Sequence, residues 1–370
     1  MKSFKELLTC DAYCALKMVI GRYFRQLKRE IDSMKRITIR DVAREANVSV
    51  TLVSFVMNAK KDEDGKLICP VNADTAKRVL AVAERLGYRR NLSAASLRSG
   101  RSNTIAVIPN DISNRFFAGI SKWIEDKANE LGYNVFFSSS EDKASKLAEV
   151  LEMVMAHNID GIIVAPCAGS EEAISKALAY KIPVVLLDRD IESITKAGKV
   201  LLDDKKAGQI ATDELISKGY KKIEMISYNL DLSSLSEREI GYCAAMHEAG
   251  LSPTVHHTTY SKASEEVEEI IEDALKRGVE ALFMPTYSLS AAVLSVMKKK
   301  GIKTPADLAL VCFDESDIYS LYRRTVTHIV QPLKELGEKS VEVLVEMIDG
   351  KAPQQIILNP ELIRGESTEK

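Results

Sequence analysis

TIRDVAREANVSVTLVSFVMN, residues 38–58, is the stretch whose reading decides the fold of the head of this chain. Ile39, Val42, Ala43 and Ala46 recur at i, i+3, i+4 and i+7, which makes one apolar helix face. Glu45-Ala46-Asn47-Val48 reads as a tight turn, because Asn tolerates the left-handed backbone that ends a helix. Ser49 stands where an N-cap belongs and opens a second helix. On that helix Val53, Val56 and Met57 are expected to face inward, leaving Val50, Thr51, Ser54 and Phe55 outward. Two short helices around a tight turn form a helix-turn-helix, whose second helix can enter a DNA major groove. Two packed amphipathic helices with no nucleic-acid role would show the same bare pattern.

The wording inside the motif separates these readings. DVAREANVSVTLVSFVMN resembles the start of the lactose repressor family, with its DVA, A-x-VS, VS and VxN elements in order. A further helix is expected over Asp74 to Gly87, with Val79, Leu80, Val82, Ala83 and Leu86 inward, ending in LGYRRN. NLSAASLRSGRSNTIAVI, residues 91–108, resembles that family's hinge helix running into the first strand of its ligand domain. The resemblance covers residues 34–365. It implies an all-α helix-turn-helix head followed by a two-lobed α/β domain, a doubly wound parallel-sheet fold of periplasmic binding protein type I.

The resemblance also implies roles. Thr38, Ser49, Val50, Thr51, Ser54, Phe55 and Asn58 would contact DNA from the head. Asn91, Ala94, Ala95 and Leu97 would do so from the hinge, with Leu97 wedged into the minor groove. Thr51 and Ser54 can hydrogen-bond to several bases, and Val50 suits thymine methyls. The family usually has Arg or another polar residue where Phe55 stands. Phe55 makes no guanine contact, so the operator is expected to differ from the family's common one.

Charge is unevenly spread. The chain is −2 overall, yet residues 34–101 hold 14 Lys and Arg against 7 Asp and Glu. Residues 1–33 hold 7 against 4, which leaves residues 102–370 at −12. A basic head on an acidic body is the asymmetry expected when only the head meets phosphate. The 370 residues suffice for two or three domains, and 46% apolar content suffices for sizeable cores.

Cys10, Cys14, Cys69, Cys167, Cys243 and Cys312 lack metal-ligand spacing and read as reduced thiols of a cytoplasmic protein. No metal or cofactor is expected. No run approaches a membrane span, and Asp11 and Lys17 interrupt any signal-peptide core.

Residues 1–33 read as an N-terminal extension, loosely helical or not native, because MKRITI at Met34 looks like the family's ordinary start. The helix-turn-helix domain is placed at 34–90, hinge and linker at 91–101, and the effector and dimerisation domain at 102–365. Residues 59–71 read as a loop with a turn at Asp62-Glu63-Asp64-Gly65.

From Ser102 short apolar runs alternate with amphipathic helices. The runs are 104–108, 134–138, 161–165, 183–187, 200–202, 222–227, 281–284 and 309–313. This is the rhythm of a doubly wound, mostly parallel sheet, with near-continuous apolar strands buried on both faces. Two lobes are expected, 102–195 with 332–350 and 196–331 with 351–365.

In open α/β sheets ligands sit outside the carboxyl ends of the strands. The residues there are Asn114, Phe116 and Phe117; Asp188 and Arg189; Arg238; Thr286 and Tyr287; Asp314; and Gln331 at a later crossover. Taken singly, the phenylalanines could be core, the aspartates could cap turns, and Arg238 could pair with Glu237 or Glu239. Together they resemble the sugar contacts of ribose-binding periplasmic proteins: Asn-x-Phe-Phe, Asp-Arg, Arg, Asp and Gln. Thr286-Tyr287 departs from the usual Asn-Asp pair, which opens the identity of the sugar.

Catalytic signatures are absent: no GxGxxG after a strand, no GxxxxGK[ST], no GxSxG, and no ligand spacing among His157, His247, His256, His257 and His328. The expected function is a sequence-specific, DNA-binding transcriptional regulator controlled by a small ligand, a sugar or sugar derivative, held between two lobes. A homodimer, or a pair of dimers, on near-palindromic double-stranded DNA follows from the small head. The alternative is a sugar sensor whose basic head binds a protein.

Overall fold

The structure, a computed structural model, describes residues 37–61, 67–88 and 100–370. The expectations for residues 1–33, for the turn at 62–65 and for Asn91, Ala94, Ala95 and Leu97 lie outside the described residues. The chain divides between residues 95 and 96 into two units.

The first unit is helical. α1 spans Ile39–Glu45, α2 Val50–Met57 and α3 Ala73–Arg85. At the start of α1 the Asp41 carboxylate accepts from the Thr38 N–H at 3.0 Å and from its hydroxyl at 2.7 Å, and the Asp41 N–H donates to the Thr38 carbonyl at 3.0 Å. Asn47 takes the left-handed conformation the turn needs, at φ 51°. Ser49 Oγ then accepts from the Leu52 N–H at 3.2 Å and caps α2.

Val42, Ala43, Ala46, Val53, Val56, Ala76, Val79, Val82 and Ala83 form one buried cluster. One inward assignment changes: Leu80 is exposed, whereas Met57 and Leu86 are half-buried and packed against the cluster. The loop expected over 59–71 holds a short ladder instead: β1, Lys60–Lys61, pairs antiparallel with β2, Leu67–Ile68.

The second unit has two six-stranded sheets. The first is built from β3 Thr104–Ile108, β4 Asn134–Phe137, β5 Gly161–Val164, β6 Val184–Leu187, β7 Gly198–Leu202 and β13 Gln355–Leu358. Its order is β13-β7-β6-β5-β3-β4, parallel throughout. The second is built from β8 Ile223–Tyr228, β9 Val255–Thr258, β10 Ala281–Phe283, β11 Ala309–Phe313, β12 Thr327–Val330 and β14 Glu361–Ile363. Its order is β14-β12-β11-β10-β8-β9, and only β14 runs antiparallel to its neighbour.

Helices cover both faces of each sheet. The first lobe carries α4 Arg115–Glu130, α5 Ala144–Ala156, α6 Glu171–Ala179 and α12 Leu333–Ile348. The second carries α7 Asp204–Ser217, α8 Ser233–Glu248, α9 Ala263–Arg277, α10 Tyr287–Lys300 and the short α11 Asp317–Leu321. Two apolar clusters flank each sheet. Burial of β5 and β6 along their whole length explains their unbroken GIIV and VVLL runs.

The lobe boundaries differ from those expected. β7 belongs to the first sheet, pairing with β6 from Val185 to Gly198, and β13 extends that sheet beyond β7. Residues 188–197 contain no helix and so read as an interlobe linker, yet they connect two neighbouring parallel strands. The chain instead crosses between lobes after β7, after β12 and after β13. These passages are tied together: the Asp203 N–H donates to the Leu358 carbonyl at 2.8 Å, and Lys206 Nζ to Asn359 Oδ1 at 2.8 Å.

Candidate functional site

In the first unit α2 presents Val50, Thr51 and Phe55 to solvent, with Phe55 49% exposed. Val53 and Val56 hold the opposite face in the core. Ser54 is half-buried, and its hydroxyl and carbonyl accept from Asn58 Nδ2 at 3.0 and 2.7 Å. The Ser49 and Thr38 hydroxyls are engaged in the caps just described. Of the head residues singled out, Thr38, Ser49, Val50, Thr51, Phe55 and Asn58 are exposed and Ser54 is half-buried, with Thr38, Ser49, Ser54 and Asn58 engaged in the local hydrogen bonds just described.

In the second unit all ten expected effector residues line one cavity between the sheets: Asn114, Phe116, Phe117, Asp188, Arg189, Arg238, Thr286, Tyr287, Asp314 and Gln331. Its volume is about 110 Å³. The first lobe supplies the strand-end residues after β3 and β6, and the second those after β10, β11 and β12. Phe116 and Phe117 are both core and lining, packed edge to face with ring centroids 5.0 Å apart.

Arg238 is buried and pairs with neither Glu237 nor Glu239. Its Nε donates to Asp204 Oδ1 at 2.7 Å, its Nη1 to the Pro285 carbonyl at 2.7 Å, and its guanidinium lies 3.9 Å from the Phe313 ring centroid. Burial pushes the Asp204 carboxyl up, to about 7, against the opposing pull of Arg238. Arg189 forks onto Asp142, with Nη1 to Oδ1 at 2.6 Å and Nη2 to Oδ2 at 3.3 Å.

Gln331 Nε2 donates to Asp314 Oδ1 at 2.7 Å, and the Tyr287 N–H donates to Asp314 Oδ2 at 3.2 Å. Asp314 thus caps α10, together with Thr286 Oγ1, which accepts from the Leu289 N–H at 3.3 Å. Asp188 caps nothing. Burial pushes both the Asp188 and Asp314 carboxyls above the ordinary carboxylate range. Arg189 Nε, Asn110 Oδ1 and Gln331 Oε1 are buried without a hydrogen-bond partner. Unsatisfied buried polar atoms of this kind call for a ligand or water.

The sequence reading missed Asn110, Asp142, Tyr228 and Tyr260, which also line the cavity. Asn110 and Asp142 follow β3 and β4, so the strand-end rule applied to every strand would have found them. Tyr228 ends β8 itself. Tyr260 follows β9, whose VHHT sequence is too polar to read as a strand.

The chain matches the profile for bacterial regulatory proteins of the lacI family over residues 38–91. It matches that for periplasmic binding proteins and the sugar binding domain of the LacI family over residues 102–365. The chain belongs to the lacI family. Catabolite control protein A of Priestia megaterium is 32% identical over 85% of this chain and 93% of its own length. The transcriptional repressor PurR of Photobacterium profundum is 29% identical over 88% of this chain and 97% of its own.

Among solved structures, the lac repressor dimer bound to operator and an anti-inducer shares the fold. Its TM-score is 0.78 at 21% identity, over 91% of this chain and all of that one. The transcription regulator CcpA of Lactococcus lactis gives a TM-score of 0.65 at 26% identity, over 72% of this chain and 99% of that one. This lacI-family chain is a DNA-binding transcriptional regulator with a ligand-binding effector domain, and its relatives are regulators rather than enzymes. Among the described residues no His, Cys, Asp or Glu cluster could hold a metal, and no helix is long and apolar enough to cross a membrane.

Proposed function

We infer that this regulator binds a near-palindromic operator as a homodimer, and that a sugar or sugar derivative in the interlobe cavity controls that binding. One observation carries the reading. Ten residues scattered from 114 to 331 converge on a single cavity, pairing aromatic faces with hydrogen-bonding groups of both signs. A sugar ring offers hydroxyls to such groups and a C–H face to aromatic rings.

In this reading Val50, Thr51 and Phe55 face base edges, and Asn91, Ala94, Ala95 and Leu97 complete the DNA contacts from the hinge. The Phe55 ring has no group for guanine, so the preferred operator differs from one read by Arg there. A dimer reads two half-sites, which sets the palindrome. The regulator would act in the cytoplasm, where its DNA lies.

The test is a thermal-shift screen of pentoses, hexoses and their derivatives, followed by gel shift on the DNA beside the regulator's own gene. A ligand of the native state raises the melting temperature. The same compound should change operator affinity, and Arg238→Ala and Asp314→Ala should abolish its effect. A compound that stabilises the protein but leaves DNA affinity unchanged would refute the coupling.

A further inference from the structure

The cavity is lined by four carboxylates, Asp111, Asp142, Asp188 and Asp314, and two guanidinium groups, Arg189 and Arg238. Each cation already has a carboxylate partner, although Arg189 Nε makes no hydrogen bond. Arg189 forks onto Asp142, and Arg238 binds the buried Asp204. Of the remaining three carboxylates, only Asp188 has a cation within 4 Å among the described residues, Arg189 Nε at 3.8 Å, and that guanidinium is shared with Asp142. Asp111 takes the Ser113 N–H at 2.8 Å and hydroxyl at 2.7 Å. Asp314 takes two neutral donors, Gln331 and Tyr287.

Asp188 is the unusual one. It is 7% exposed and faces the cavity, yet its carboxylate accepts no hydrogen bond from any described residue. The nearest cationic atom is Arg189 Nε, at 3.8 Å. A buried carboxylate without donors is costly, so the site is incomplete until a ligand brings donors to it.

Anion capture by helix N-termini is the competing possibility, since α4, α8 and α10 all open at this cavity. Asn114 Oδ1 accepts from the Phe116 N–H at 3.0 Å and caps α4, and Asp314 caps α10. Only α8 has no side-chain cap. One helix end among these three carboxylates does not make an anion site. The Tyr228 and Tyr260 rings, with centroids 5.1 Å apart, add aromatic faces that favour a cation.

The geometry points to a hydrogen-bond-donating effector without an anionic group, an amino sugar in preference to a sugar phosphate, with its donors on Asp188. This inference rests on the sugar reading above and narrows it to one charge class.

The test uses the full chain and calorimetric titration. Glucose, glucosamine and glucose 6-phosphate form one series, galactose and its two counterparts a second, and ribose with ribose 5-phosphate a third. Within the hexose series that binds, the amine should bind more tightly than the parent sugar. The phosphate ester should bind at least tenfold more weakly. Asp188→Asn keeps the shape and suits the left-handed backbone at this position, φ 69°. It should erase the amine's advantage and shrink the phosphate's penalty. A phosphate ester that binds the wild type as tightly as its parent overturns the charge assignment and leaves the sugar reading standing. Failure of every ring in every form to bind overturns both.

Discussion

Gly241→Ala should destabilise the effector domain and disarm its cavity together. α8 crosses α7 with Gly241 against the backbone of Lys205 and Gly208 against the backbone of Arg238. A Cβ at Gly241 would stand 1.9 Å from the Lys205 carbonyl oxygen and 2.8 Å from the Gln209 nitrogen. Neither atom belongs to a side chain that could rotate away, so the helices must separate by about an ångström or more to reach ordinary contact. On propensity alone, Gly to Ala within a helix stabilises by about 1 kcal/mol. Overpacking costs roughly 1–3 kcal/mol, and a backbone clash lies at the upper end. The net is a loss of about 2 kcal/mol, or roughly 4–8 °C in melting temperature for a domain of this size. The same separation draws Arg238 off Asp204, so effector response should fall as well. Ser236→Ala, at an exposed position on the same helix, is the control and should be neutral to stabilising. Thermal unfolding of the full-length variants decides the matter. A Gly241→Ala protein that melts at or above the wild-type temperature would refute the packing argument.

Two further outcomes follow. Ser49→Ala removes the hydroxyl that caps α2 and should cost about 1 kcal/mol of head stability, with weaker operator binding; an unchanged melting profile of the head would count against the cap. The Asp204 carboxyl, at about 7, lies above its unfolded value, so its contribution to stability is fully present below about pH 4 and is lost as pH rises through about 7. Asp204→Asn should therefore flatten the fall in stability between those pH values, while lowering stability at pH 7 because Arg238 loses its partner; urea titrations at pH 4.5 and 7 would show an undiminished fall if the assignment is wrong.

The head was legible because its signals are local. Asn47 and Ser49 each sit where a specific backbone state or cap is required, and the structure uses both in that way. Leu80 misled because helical periodicity places a side chain on a face without saying how near the neighbouring helix comes. The central strands of the body announced themselves by continuous apolar runs, whereas β9, β13 and β14 at the sheet edges did not. β13 alternates exposed and half-buried residues, and β9 carries two histidines. Missing those edges displaced the lobe boundary and hid Tyr260. The ten expected effector residues came together because strand ends converge by topology alone. Their pairing was not legible: nothing in the sequence around Arg238, REIGY at 238–242, shows that it reaches back 34 residues to Asp204, which depends on the Gly208 and Gly241 crossing.

The two lobes meet the cavity in matching ways, and this locates the energy of closure. Asp188 follows β6 and Asp314 follows β11, and both hold left-handed backbone, φ 69° and 65°. Across the cleft, Arg115 pairs with Asp317 at 3.0 Å, but both side chains are more than half exposed. Such a pair contributes roughly 0–1 kcal/mol. The polar atoms left unmatched inside, on Gln331, Arg189 and Asn110, each cost about 1–3 kcal/mol while they lack partners. Water would satisfy them with the lobes apart, and a ligand satisfies them with the lobes together. The difference between those two states is the differential free energy that linkage between effector and DNA requires. Gln331→Ala removes one of these atoms along with its bond to Asp314. It should shrink the ligand-induced rise in melting temperature more than Arg115→Ala does. Equal effects from the two substitutions would place the closure energy at the mouth of the cleft instead of its floor.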